Sequence, residues 1–84
     1  MSDGDDFEKG VSLQKEGSHQ EAVEAFSSVI EQDPGNTDAW YRKAICLYEM
    51  AAYGESMECV SKVLELKPGD LDAMKLKFAL AGKA

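Results

Sequence analysis

Along residues 19–32 the apolar positions Ala22, Phe26, Val29 and Ile30 recur at helical spacings, and Glu21, Glu24, Glu31 and Gln32 lie largely off that stripe. Side chains three and four apart share one face of a helix, so this stretch predicts an amphipathic helix. Trp40, Ala44 and Leu47 predict a helix over 37–50, and Met57, Val60, Val63 and Leu64 one over 54–66. Two more helices are predicted over 5–16 and 71–82. Gly17 suits the left-handed end of the first helix. Ser18, with Glu21 three residues on, has the spacing of a capping box for the second. Pro34 cannot continue that helix. Asn36 and Asp70 are cap candidates for the third and fifth. The turn between the third and fourth is less well marked, because Ala51-Ala52 stand where Gly17-Ser18 stood. No segment alternates with period two, so no sheet is expected.

The stops repeat. "DPGN" at 33–36 returns as "KPGD" at 67–70, and Asp38-Ala39 returns as Asp72-Ala73, 34 residues on. Lys9/Lys43, Leu13/Leu47, Glu21/Glu55, Glu24/Glu58 and Val29/Val63 keep the same offset, with near-matches at Phe7/Tyr41 and Val11/Ile45. A fixed period in this range marks stacked units, each too thin to bury its apolar face alone. The first unit offers Gly10, Leu13, Ala22, Phe26 and Pro34. The second offers Trp40, Ala44, Leu47, Ser56, Val60 and Pro68.

In period and in these positions the chain resembles the tetratricopeptide repeat family over residues 4–82. The resemblance implies an all-α fold: a right-handed stack of antiparallel helix hairpins, with repeat one at 4–36, repeat two at 37–70 and a terminal helix at 71–82. Asp6 stands where the family has Trp, and Ser56 and Val60 replace its Ala and Phe, so the second hairpin is expected to pack less tightly.

Net charge is −7 over 84 residues. With no basic surplus to meet phosphates, nucleic acid and anionic membranes are unexpected partners. No apolar run approaches the length of a membrane span, and the acidic start, "MSDGDDFE", lacks the features of a signal peptide. Cys46 and Cys59, 13 apart, match neither a redox pair nor a zinc knuckle and read as packing residues of a cytoplasmic protein. His19 is the only histidine. It falls in a predicted turn with no partner for catalysis or metal binding. Neither an enzyme, a cofactor nor a metal is expected.

What remains is a surface. In the family, the first helix of each hairpin lines a concave groove that holds a partner's peptide or helix. Carried over by repeat phase, this implies partner-binding roles for Phe7, Val11, Lys15, Tyr41, Arg42, Ile45, Tyr48, Glu49 and Lys75, with Glu8, Gln14, Asp38, Leu76 and Ala79 nearby. Some members clamp a chaperone's C-terminal carboxylate, but Glu8 and Val11 stand where Lys or Asn would be needed, so that ligand is not expected. The chain therefore reads as a protein-binding scaffold module. The alternative is a self-associating unit, such as a homodimer, or a piece of a longer array. It rests on Met74, Phe78 and Leu80 of a terminal helix that is apolar nearly all round. Phe78 holds the place of Gly10 and Ala44, where close helix contact calls for something small.

Overall fold

The computed structural model describes residues 3–83. Five helices follow one another: α1 (Asp3–Lys15), α2 (His19–Gln32), α3 (Thr37–Glu49), α4 (Tyr53–Leu66) and α5 (Leu71–Ala81). No strand occurs among the described residues. α1 pairs with α2 and α3 with α4, the two hairpins stack through α2 and α3, and α5 lies against α4.

The linkers explain the boundaries. After α2, the Asp33 N–H donates to the Val29 carbonyl at 2.8 Å and the Asn36 N–H to the Asp33 carbonyl at 3.0 Å. After α4, Lys67 and Asp70 repeat both bonds, to Val63 and Lys67. The side chains of Asn36 and Asp70 then accept from the backbone N–H of Ala39 and Ala73, at 3.1 and 2.9 Å. Each satisfies one of the orphan donors at a helix start. The Trp40 indole also donates to the Pro34 carbonyl at 2.8 Å, tying the first linker to α3.

The turns inside the hairpins depart from expectation. Ser18 makes no side-chain cap bond. Its N–H instead donates to the Leu13 carbonyl at 2.9 Å, and the Gly17 N–H to the Gln14 carbonyl at 3.1 Å. This is a Schellman closure of α1, with Gly17 left-handed at φ 83°. Ser18 ends one helix with its backbone, and its ψ of 66° lies outside the extended region that capping geometry favours. The second hairpin closes in the same way. Ala52 and Ala51 donate to Leu47 and Tyr48, and Ala51 is held at φ 61°. Alanine therefore occupies the left-handed site that Gly17 occupies in the first hairpin.

The core has two parts, and α3 belongs to both. Ala39 and Cys46 face back onto Ala22, Phe26 and Val29. Ala44 and Leu47 face forward onto Cys59, Val60 and Val63, with Ala73, Leu76 and Leu80 of α5 beyond. Gly10 permits the tight approach of α1 and α2. A methyl group there would sit 2.7 Å from the Phe26 ring, and Phe26 is fully buried with nowhere to retreat. In the second hairpin the same two places hold Ala44 and Val60, a larger residue with a smaller one. Ser56 is fully buried and donates from its hydroxyl to the Ala44 carbonyl at 2.7 Å. Ala44, Ser56 and Val60 are all fully buried, so the departures from the family pattern expose none of these positions.

Two outcomes follow for stability. Gly10→Ala, normally favourable inside a helix, is expected to cost about 1–3 kcal/mol through overpacking against Phe26. Ala51→Gly is expected to stabilise by roughly 0.5–1 kcal/mol by relieving a left-handed alanine. Urea unfolding of the two variants against the parent measures both; the opposite sign in either case contradicts the packing or turn assignment.

Candidate functional site

α1 and α3 lie on the same side of the stack, and the first turn of α5 reaches them. Between them is a recess of about 340 Å³ lined by Phe7, Gln14, Asp38, Tyr41, Arg42, Ile45 and Asp72. Its geometry starts in the core. Phe26 supports Phe7 edge-on, with centroids 5.7 Å apart and rings at 65°. Phe7 in turn lies beneath the Arg42 guanidinium, 5.7 Å from its ring centroid. Arg42 also donates through Nη1 to the Gln14 side-chain oxygen at 3.2 Å. The one guanidinium of the recess is thus held from two directions, by an aromatic face and an amide, both on α1.

Asp38 and Asp72 make the recess acidic at its edge. Burial raises the Tyr41 phenol above its ordinary value of 10.0, and the charges of Asp72 and Asp70 push the same way against a smaller opposing effect of Arg42. Tyr41 therefore stays a protonated hydrogen-bond donor through the physiological range.

The recess gathers four of the residues singled out from the sequence: Phe7, Tyr41, Arg42 and Ile45, together with Gln14 and Asp38. It does not gather the rest. Val11 is half-buried and packs on the first core cluster. Tyr48 packs edge-on against Tyr53, centroids 5.5 Å apart, with the Lys83 ammonium 5.8 Å from both rings. Lys15, Glu49 and Lys75 are exposed and lie outside the recess lining. Leu80, expected to meet another molecule, is 2% exposed and belongs with Leu76 to the second core cluster. It holds α5 onto the stack and is not available to a partner. Phe78 and Met74 do reach the surface. Asp72 was missed, although it repeats Asp38 at the 34-residue offset, which was the available signal.

Burial pushes the Cys46 thiol up to about 11 and the Cys59 thiol up as well, so neither supplies a thiolate at neutral pH. His19 is half-buried, its Nδ1 without a hydrogen-bond partner. No cluster of three potential metal ligands occurs among the described residues. No helix of the described residues is long and apolar enough to cross a membrane.

No curated protein matches the chain. Among solved structures it is similar to one described as the first TPR of Spaghetti (RPAP3) bound to the HSP90 peptide SRMEEVD. The match has 16% sequence identity and a TM-score of 0.58, and covers 96% of this chain and 91% of that one. At that identity the likeness is one of fold. The tetratricopeptide repeat model matches residues 13–80. With that span covering most of the chain, and with two helix hairpins repeating every 34 residues, the chain belongs to the tetratricopeptide repeat family.

Proposed function

We propose that the chain is a non-enzymatic protein-interaction module that holds a peptide segment of a partner in the recess formed by α1, α3 and α5. The observation that carries this reading is the origin of the walls. Every lining side chain comes from the first helix of a repeat or from α5, and none from α2 or α4. The apolar parts, Phe7, Ile45 and the Tyr41 ring, suit an aliphatic or aromatic side chain of the peptide. Arg42 suits a carboxylate, since its planar fork can pair with both oxygens. Asp38 and Asp72 favour a neighbouring basic residue.

The structural neighbour was solved with the HSP90 peptide SRMEEVD, which carries more acidic than basic residues. A different ligand is expected here. Glu8 and Val11 stand where a carboxylate clamp would need Lys or Asn, and the two aspartates of the recess repel a run of acids.

Selection of random peptides on the immobilised protein, followed by fluorescence anisotropy of the winners, tests the reading. Selected peptides are expected to carry an acidic group beside an apolar residue, with a basic residue close by. Arg42→Ala and Tyr41→Ala are each expected to weaken them roughly tenfold or more, with the helical circular dichroism unchanged. Peptides that bind Arg42→Ala as tightly as the parent would place the binding surface elsewhere. Displacement of the selected peptides by SRMEEVD would contradict the expected ligand class.

A further inference from the structure

A second, mainly apolar opening shares no lining residue with the α1–α3–α5 recess. It has a volume of about 530 Å³ and is lined by Leu64, Pro68, Met74, Lys77, Phe78 and Ala81. Phe78 is 81% exposed, the most of any large hydrophobic side chain described.

The internal repeat shows what covers such a face. By the 34-residue phase, Met74, Lys77, Phe78 and Ala81 hold on α5 the places that Asp6, Lys9, Gly10 and Leu13 hold on α1. On α1 that face carries α2. Gly10 meets Phe26, and Asp6, Lys9 and Leu13 line a cleft with Glu21 and Glu24. On α3 the same face carries α4, with Ala44 and Leu47 in one cluster with Val60 and Val63. α5 repeats the backward-facing contacts of α3, since Ala73 and Leu80 are buried where Ala39 and Cys46 are. Among the described residues, no helix lies over its forward face.

Two features define the missing occupant. The first is volume. From unit to unit the first-helix residue grows, from Gly10 to Ala44 to Phe78, and its counterpart shrinks from Phe26 to Val60. A helix over Phe78 therefore needs a small residue at that place. The second is charge. Lys9 stands beside Glu21 and Glu24. Lys43, its repeat, lies over the Trp40 ring at 5.8 Å, and its charge acts on the Cys59 thiol in the opposite sense to Glu58 and Glu55 on α4. Lys77 is the third of this series and lines the open face.

We propose that this face docks one amphipathic helix of a partner, antiparallel to α5, with Gly, Ala or Ser over Phe78 and acidic residues two and five positions before it, within reach of Lys77. A second copy of the chain fits poorly. Its α2 and α4 are engaged in its own core, and its α5 face carries Lys77 with no acidic residue in the lining to meet the Lys77 of the first copy.

The test supplies the helix in register. Residues Gly17–Gln32 are copied after Ala84, the repeat equivalent of Glu16, in two forms: with the native Phe at the Phe26 place, and with Phe26→Ala in the copy. Attachment gives the helix an effective concentration that a free peptide lacks. The alanine form is expected to unfold about 5 °C or more above the phenylalanine form, because Phe over Phe overpacks. In a Phe78→Gly background the order is expected to reverse, since the Gly10–Phe26 pairing is recreated. Failure of both extensions to raise the midpoint overturns the proposal, as does a phenylalanine form at least as stable in the parent background. Sedimentation equilibrium of the parent at high concentration is expected to show a monomer. A dimer dispersed by Phe78→Glu overturns the proposal in favour of a second copy as occupant.

Discussion

The space beside Gly10 is the constraint from which the rest follows. Helices pack closely only where a small residue on one faces a large residue on the other, because interiors are filled to near-crystal density. Gly10 admits the Phe26 ring, and Phe26 meets Phe7 edge-on. Phe7 carries the Arg42 guanidinium. A single line of contact thus runs from the hairpin interior to the charged group of the recess. Arg42 is placed by the core of the neighbouring repeat, not by its own helix alone.

The same logic explains why the chain says everything twice. α3 has two buried faces, one turned back to α2 and one forward to α4, and neither hairpin would bury its apolar face without the other. The acidic residues Glu21, Glu24, Glu55, Glu58 and Glu65 are exposed on the second helices. The first helices supply the recess. Division of labour between the two helices of a repeat separates the solvated face from the candidate binding face.

Helix number, order and limits were legible because the stops are chemical: Pro34 and Pro68 cannot continue a helix, and Asn36 and Asp70 cap the next. Residues whose role depends on backbone competition were not legible. Ser18 has the composition of a cap, but its N–H closes the preceding helix. Nothing in an Ala-Ala pair signals that Ala51 will be left-handed. Of the residues named by repeat phase, Phe7, Tyr41, Arg42 and Ile45 line one recess. The recess leaves out Val11, Tyr48, Lys15, Glu49 and Lys75; for Val11 and Tyr48, phase gives a position along a helix and not whether a neighbouring side chain already occupies that direction. Tyr48 is claimed by Tyr53, and Leu80 by the second core cluster.

The central claim, that the first helices form the binding surface, is open to one direct measurement. An amide and side-chain NMR titration of the labelled protein with a selected peptide reports which residues change environment. The account predicts the largest shifts at Phe7, Tyr41, Arg42, Ile45 and Asp72, including the Arg42 guanidinium resonance. Shifts centred on Glu21, Glu24, Glu55 and Glu58 of α2 and α4, with the Arg42 resonance unmoved, would contradict it.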